Sequence, residues 1–400
     1  MENRISQRVE AIVRPQSLRE DEELHKGLWT GVDVLPLCGW PVLSTLPDHL
    51  LEAASKHARE NGVAPSRGLL ELRQAVSQKV KNENGIEADP ESEILITAGA
   101  IQALTIVMLA LLDSGDEVVI PSPAFFFGGT VQLAGGKPVY APMQEKNGFR
   151  LDADVVERFI TPKTKVLILN SPVNPTGYVA SRDDIEAIAK LAEKRDLIII
   201  SDESYESLVY DGAVHHSIAS VEYIKEKVIT VQSFSKSYGL PGWRMGFVIA
   251  ERNLVEEFVK VFEYVSGFCN YVAQKVAIAA IMGPQGWRQN FRHAYQKKRN
   301  LVAEGFFEKG PLSFLVPKGG PFFFLNIVET GLTCEAFREY LLGNFGIPVT
   351  PGTAFQSDRH VRLPFGADDG VLKELIYRMG RALLPLRKAP ASSGDLSKSV

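Results

Sequence analysis

The 400-residue sequence predicts an α/β protein: a large domain with a mostly parallel seven-stranded sheet flanked by helices, plus a smaller α+β domain. Three observations support this prediction. The chain is too long for one small core, so two domains are expected. Between residues 90 and 285, short apolar runs alternate with helical segments, which is typical of strands buried on both faces. From Pro284 onward, a charged helical segment and a Phe-rich run replace this alternation.

Seven runs in the large domain have the length and apolar character of buried strands. They are Ile94–Thr97, Glu117–Ile120, Pro138–Tyr140, Lys165–Leu169, Leu197–Ser201, Val228–Gln232 and Met245–Ala250. Helices are predicted between them, including Ala100–Leu112, Arg182–Arg195 and Leu254–Val265. Strands that alternate with helices in this way predict a mostly parallel sheet.

The smaller domain is predicted from residue 286 to 388, with residues 1–49 joining it as an N-terminal arm and 50–285 forming the large domain. Its elements are helices at Trp287–Lys309, Phe337–Leu342 and Val371–Leu384, and strands at Phe322–Phe324 and Val361–Leu363. The last segment, 389–400, is rich in Ser and Ala and is expected to be disordered.

Composition excludes several classes of function. A net charge of −4 argues against binding to nucleic acid. The three cysteines, Cys38, Cys269 and Cys334, lack CxxC spacing, which argues against a zinc site and a disulfide framework and favours a cytoplasmic location. The apolar helix Ala103–Leu112 is too short to span a bilayer, and the acid-containing N-terminus is unlike a signal peptide, so no membrane association is expected.

Polar or reactive residues follow four of the predicted strands. In an open α/β sheet, ligands bind beyond the carboxyl ends of the strands, so these residues are expected to share one site. The four segments are Ala98–Ala100, Asn170–Gly177, Asp202–Tyr205 and Ser233–Lys236.

Lys236 is the central candidate. It follows the buried run Val228–Gln232, and Ser233, Ser235 and Arg244 are suited to bind an anion beside it. A lysine in this setting fits a Schiff-base nucleophile next to a phosphate, although an exposed loop lysine without a function is the alternative.

Two further positions carry a physical argument. Gly99 and Ala100 open a helix whose free N–H groups would hold a phosphate, with an ordinary strand-to-helix turn as the alternative. Asp202 follows a very apolar strand, where a carboxylate is costly unless it is paired with a cation. A helix N-cap is the other interpretation of Asp202.

Together, S-F-S-K…G-W-R, N-S-P-V-N-P-T-G and D-E-S-Y resemble the motifs of class I/II aminotransferases, which depend on pyridoxal 5′-phosphate (PLP) and have fold type I of the aspartate aminotransferase superfamily. The resemblance spans about Leu35 to Leu384. It implies that Lys236 holds PLP as a Schiff base. It also implies transfer of an amino group from a 2-amino acid to a 2-oxo acid through pyridoxamine phosphate, in a homodimer with a composite site.

The resemblance assigns roles around the cofactor. Asp202 would pair with the pyridine nitrogen, Tyr205 and Asn174 would bind the phenolic oxygen, and Phe125 would stack on the ring. Its neighbours Phe126 and Phe127 are alternatives for stacking, and core packing is the commoner fate of such a triplet.

On the substrate side, Arg362 matches the family's arginine for the α-carboxylate, a task that suits its planar guanidinium. A solvated strand arginine is the alternative. Gly39 resembles the glycine whose backbone contacts the same carboxylate.

The sequence departs from the family at two positions. Val63 stands where a tyrosine usually reaches the phosphate of the neighbouring subunit, and valine cannot donate a hydrogen bond. Either another group, Ser66 or Arg67, replaces that contact, or the phosphate is held less tightly. Ile101 stands where some bacterial aspartate-using members have lysine, which favours a neutral or aromatic substrate.

Two other functions stay open at the level of the sequence. One is a specialised PLP lyase, cyclase or oxygen-dependent oxidase. The other is a non-catalytic effector-sensing domain, although the chain lacks room for a DNA-binding module before Leu35. No metal motif is found, and His215 and His216 are expected to be solvated in a polar loop.

Overall fold

The computed structural model describes residues 5–14, 31–37, 43, 45–60, 62–306 and 310–386. Gly39 and the tail predicted to be disordered lie outside these residues. The described helices are α1 (Gln7–Glu10), α2 (Asp48–His57), α3 (Leu70–Asn84), α4 (Ala100–Leu111), α5 (Phe127–Leu133), α6 (Ala153–Glu157), α7 (Arg182–Arg195), α8 (Phe234–Ser237), α9 (Arg252–Val265), α10 (Tyr271–Met282), α11 (Gly286–Phe306), α12 (Cys334–Phe345) and α13 (Asp369–Leu383).

The large sheet contains all seven predicted strands, so the predicted fold class is confirmed. They are β1 (Ile94–Thr97), β2 (Glu117–Ser122), β3 (Lys137–Pro142), β4 (Thr164–Asn170), β5 (Ile198–Asp202), β6 (Val228–Ser233) and β7 (Gly246–Ile249). Their order is β1-β7-β6-β5-β4-β2-β3. Among these strands, β7 runs in the opposite direction to the other six, so its pairings with β1 and β6 are antiparallel and the remaining pairings are parallel.

Both faces of this sheet are buried. Neighbouring residues of one strand point to opposite faces, and Ile199 and Ile200 accordingly belong to different apolar clusters. One cluster contains the apolar face of α4, including Val107, and the other contains that of α7, including Ile188. Burial on both faces explains why these strands are almost continuously apolar.

Local signals explain where α7 begins and ends. Ser181 accepts a hydrogen bond from the Asp184 backbone, and the Asp184 carboxylate accepts one from the Ser181 backbone, forming a capping box. The helix ends at Asp196 in the left-handed conformation. Its bounds, Arg182–Arg195, match the prediction.

The smaller sheet is antiparallel and has the order β10-β11-β9-β8. Its strands are β8 (Ser313–Phe314), β9 (Phe322–Asn326), β10 (Thr350–Pro351) and β11 (His360–Pro364). Phe323, Phe337 and Met379 form its core with Leu35 and Leu37 from the N-terminal segment. The domain boundaries near residues 50 and 285 stay predictions. Within the described part of the chain, no helix has the length and apolarity needed to cross a membrane.

Strand register brings the predicted site together. Asn170, at the end of β4, pairs with Asp202 at the end of β5, and Asp202 pairs with Val231 of β6. Since Val231 is opposite Asp202, β6 extends two residues further and ends at Ser233. Because β4, β5 and β6 are parallel, their carboxyl ends lie at one edge of the sheet.

Candidate active site

Asp202 is a buried carboxylate, with 6% of its surface exposed. Burial raises its pKa, while the hydrogen bonds from Ser204 and the charge of Lys236 oppose that shift. The Ser204 backbone N–H donates to Oδ1 over 3.0 Å, an arrangement similar to a cap. A buried carboxylate of this kind is stabilised by a cation, which agrees with its predicted pairing to a pyridinium nitrogen.

Lys236 lies in α8, a four-residue helix, rather than in the exposed loop of the alternative interpretation. Ser233 caps this helix by accepting a hydrogen bond from the Ser235 backbone over 3.1 Å. Lys236 is 8% exposed, and its Nζ lies 5.6 Å from the centre of the Tyr205 ring. Burial raises the pKa of the Tyr205 phenol. The three predicted catalytic residues, Lys236, Asp202 and Tyr205, are therefore neighbours.

A cradle suited to an anion forms where α4 begins. Gly99 has a φ of +86°, and a Cβ placed on it would lie 2.7 Å from Nη2 of Arg244. Arg244 donates from Nη1 to Oγ of Ser235 over 3.5 Å and from Nη2 to the Ala98 carbonyl over 3.4 Å. Burial lowers the pKa of this guanidinium. Gly99, Ala100, Ser235 and Arg244 thus converge, and their donors fit the phosphate of PLP.

Arg362 of β11 meets the N-P-T-G turn of the large sheet. Its Nη1 donates to Oδ1 of Asn174 over 3.1 Å, and its Nη2 donates to Oγ1 of Thr350 over 3.3 Å. The guanidinium carbon lies 4.3 Å from the ring centre of Phe322 and 4.8 Å from that of Phe355. Arg362 is buried rather than a solvated strand arginine. Arg362 thus has three neighbours that the sequence did not indicate: Thr350, Phe322 and Phe355.

Tyr205 connects the two groups of residues. The charges of Arg362 and Asp202 both act on its phenol, and its ring lies 6.1 Å from that of Phe322 in an edge-on arrangement. The lysine, the buried carboxylate and the arginine therefore surround one region between the two sheets.

The three side chains of the Phe triplet differ in burial. Phe127 is buried in the core, whereas Phe125 and Phe126 are half-buried, with ring centres 3.5 Å apart. Stacking of Phe125 on the cofactor stays a prediction. Gly39, the other predicted substrate contact, lies outside the described residues.

The departures from the family are visible in the structure. Val63 is 78% exposed. Arg67 is held elsewhere, because Nη1 donates to the carbonyls of Glu91 and Ser92 and Nη2 lies 2.5 Å from Glu256. These contacts argue against Arg67 as a replacement for the missing tyrosine. Ile101 lies half-buried in the first turn of α4 and has no charge to offer an acidic substrate.

One expectation was wrong. The side chain of His215 is 7% exposed and its Nε2 lies 3.1 Å from Oε2 of Glu203, so it is buried in an ion pair rather than solvated. The sequence around it is polar and gives no sign of burial, which packing against the residues after β5 produces.

Comparison with known proteins agrees with this geometry. The model of the family described as aminotransferase class I and II matches residues 41–379. The chain is 40% identical to an aspartate aminotransferase of Pyrococcus abyssi, across 93% of this chain and 96% of the relative. It is 39% identical to aromatic-amino-acid aminotransferase 2 of Thermococcus litoralis, across 95% and 98% of the two chains.

A solved structure gives the same result. The aromatic aminotransferase of Pyrococcus horikoshii superposes with a TM-score of 0.85 at 40% identity, covering 91% of this chain and 98% of that one. Both sequence and structure thus match over nearly the whole chain. The chain is an enzyme that belongs to the class I and II aminotransferase family.

Proposed function

We propose that this transaminase uses PLP, bound through Lys236, to move the amino group of a neutral or aromatic 2-amino acid to a 2-oxo acid. The observation that carries the proposal is the meeting of Lys236, Tyr205 and buried Asp202 with the Arg362–Asn174 pair. PLP, when bound, supplies a sink for the electron pair left at Cα of the substrate.

The anion cradle and the buried acid would hold the cofactor at its two ends. Ser235, Arg244 and the first N–H groups of α4 would bind the phosphate. The Asp202 carboxylate would keep a proton on the ring nitrogen, since a buried anion and a buried cation stabilise each other. Tyr205 and Asn174 would donate hydrogen bonds to the phenolic oxygen.

Arg362 binds the α-carboxylate of the amino acid. Its bond to Asn174 and its two aromatic neighbours fix the plane of the guanidinium before the substrate arrives. Once the amine of the substrate has displaced Lys236 from the cofactor, the freed Nζ would be placed to accept the proton from Cα and to give it up again. Burial keeps this amine away from bulk water.

The substrate class is inferred from Ile101. An apolar side chain in the first turn of α4 offers no counter-charge to a distal carboxylate and is compatible with an apolar group. The relatives named for aromatic amino acids agree with this proposal, while those named for aspartate provide the competing one.

A homodimer is the proposed assembly. Several large apolar side chains are exposed on and around α9 and α10, which is typical of an interface. They include Tyr264, 96% exposed, together with Phe268 and Met282. Sedimentation at micromolar concentration should give twice the mass of the chain, and a monomer would contradict the proposal. A cytoplasmic location stays a prediction.

The substrate proposal is tested by adding amino acids singly to the PLP-loaded enzyme, under nitrogen and in air. Phenylalanine, tyrosine and leucine should convert PLP to pyridoxamine phosphate with kcat/KM values about tenfold or more above that of aspartate. A subsequent 2-oxo acid should restore PLP. Faster turnover of aspartate would contradict the substrate class, and oxygen uptake without pyridoxamine phosphate would indicate an oxidase.

A further inference from the structure

A buried polar network lies beside the proposed catalytic residues and has no part in the mechanism above. We define it as Lys79, Glu203, Glu206, His215 and Gln232. Four of these residues are almost fully buried, and the side chain of His215 is 7% exposed. They come from α3, from the segment after β5, from the loop near residue 215 and from β6.

The network is joined to the catalytic residues through the chain itself. Glu203 directly follows Asp202, and Glu206 directly follows Tyr205. Gln232 lies at the end of the strand that leads to Lys236. Ser237, the residue after Lys236, donates from Oγ to Oε1 of Glu206 over 3.3 Å. A shift of Glu203, Glu206 or Gln232 would thus move a catalytic neighbour.

Gln232 bridges the two carboxylates. Its Nε2 donates to Oε2 of Glu203 over 3.2 Å and to Oε2 of Glu206 over 3.1 Å. Its Oε1 accepts a hydrogen bond from Nζ of Lys79 over 2.8 Å. A primary amide has two N–H groups, so one is available for each carboxylate. This geometry fixes the segment that bears Asp202 and Tyr205 against the strand that leads to Lys236.

The charges of the network balance. Lys79 contacts Glu206, which also accepts a hydrogen bond from Asn84 over 2.6 Å. Glu203 pairs with His215 and accepts hydrogen bonds from Ser201 and Ser217 over 2.9 and 2.6 Å. Burial acts to raise the pKa of Glu203, but His215 and the hydroxyl groups outweigh it and hold that pKa below its ordinary value.

Stability alone does not explain such a network. Replacing buried charges with apolar residues of similar volume is often neutral or stabilising, so a core needs no ion pairs at this place. Directional bonds, by contrast, hold a functional site in one geometry. We propose that the buried network is a positioning group that sets Asp202 and Tyr205 relative to Lys236. This inference rests on the roles proposed for those three residues.

The test compares Glu203→Gln and Glu206→Gln with Glu117→Gln. Glu117 is a carboxylate with 6% of its surface exposed that accepts hydrogen bonds from Thr161 over 2.7 Å and from Lys137 over 3.0 Å, but it lies at the amino end of β2, away from the proposed site. All three isosteric changes should lower Tm. Only the network variants should weaken equilibrium PLP binding and reduce kcat, each by about tenfold.

The split between kinetic constants separates positioning from general damage. KM for the amino acid should stay within about twofold in the network variants, because Arg362 and Asn174 are bound by other partners. If the network variants fold poorly, Ser217→Ala removes one bond to Glu203 and leaves every charge in place. It should show a loss of about threefold in PLP affinity and kcat.

Network variants, including Ser217→Ala, that keep the PLP affinity and kcat of Glu117→Gln would overturn the proposal. Lys236→Ala distinguishes this result from failure of the proposed function. If Lys236→Ala is inactive and the network variants are unaffected, only the positioning proposal is contradicted. If Lys236→Ala is active, the proposed function is contradicted as well.

Discussion

Arg362 donates a hydrogen bond to Asn174 over 3.1 Å, joining residues 188 positions apart in the sequence. The bond connects β11 of the small sheet to the turn after β4 of the large sheet. Thr350, beside Arg362 in the small sheet, accepts a second hydrogen bond from the same guanidinium. The orientation of the proposed carboxylate ligand is therefore set by both sheets.

Arg362→Lys should raise KM for the amino acid by about 10- to 100-fold, because lysine keeps the charge but loses the planar pair of donors. PLP affinity should be unchanged, since the guanidinium is not part of the anion cradle. Steady-state kinetics and equilibrium dialysis check the two values. Arg359→Lys, at an exposed position three residues earlier, is the matched control. Equal KM values in the two variants would remove Arg362 from substrate binding.

Gly99→Ala should weaken PLP binding by about tenfold or more. The new methyl would lie 2.7 Å from Arg244 Nη2, at a φ of +86° that strains any side chain. Gly242→Ala is the control, since a Cβ there meets nothing within 4 Å and its φ lies outside the left-handed region. Dialysis of both variants against PLP gives the comparison. Similar affinities would mean that the start of α4 does not hold the phosphate.

The ion pair between His215 and Glu203 should make stability depend on pH. Burial disfavours the imidazolium, but Glu203 and Glu206 outweigh it, so the pKa of His215 lies above its usual 6.5. Its stabilisation is therefore complete below pH 6.5 and is lost as the pH rises through the raised value. The pKa of Glu203 is lowered from 4.5, so its stabilisation is lost only as the pH falls through that lowered value.

Thermal unfolding of the cofactor-free protein measures this effect. The Tm difference between wild type and His215→Gln should be largest near pH 6 and should shrink towards about pH 9. His216→Gln is the control, because burial lowers the pKa of His216 and gives no such alkaline loss. A difference that is constant across this range would show that folding does not raise the pKa of His215.

Val63→Tyr should tighten PLP binding about three- to tenfold, the value of one added hydrogen bond to the phosphate of the partner subunit. Val63 is 78% exposed in the single chain, so the larger ring meets little of its own chain. Val63→Phe provides the ring without the hydroxyl and should leave the affinity unchanged. An equal gain in both variants would point to apolar packing instead.

The large sheet could be predicted almost completely because most of its strands are short, apolar and buried on both faces, although the edge strand β3 is only half-buried. The two-residue strands Ser313–Phe314 and Thr350–Pro351 could not be predicted, since two residues show no alternation. The helix around Lys236 was also missed. Its capping serine ends the preceding strand, and four residues give no helical period.

Site residues in continuous motifs, such as Asp202 and Lys236, could be identified from the sequence because the sheet brings strand ends together. Thr350, Phe322 and Phe355 could not, because only the pairing of the small sheet and its packing bring them to Arg362. Burial of His215 was hidden for the same reason. Its partner Glu203 is near in sequence, but other residues of the buried network, such as Lys79, are distant in the sequence.

The most direct test of the account is one round of amino transfer without a 2-oxo acid. Wild-type enzyme loaded with PLP should convert a ¹⁵N-labelled amino acid to about one equivalent of labelled pyridoxamine phosphate, read by mass spectrometry. Lys236→Ala, loaded with PLP by dialysis, should do so roughly a thousandfold more slowly, because the group proposed to move the Cα proton is then missing. Conversion by Lys236→Ala at the wild-type rate would contradict the central claim.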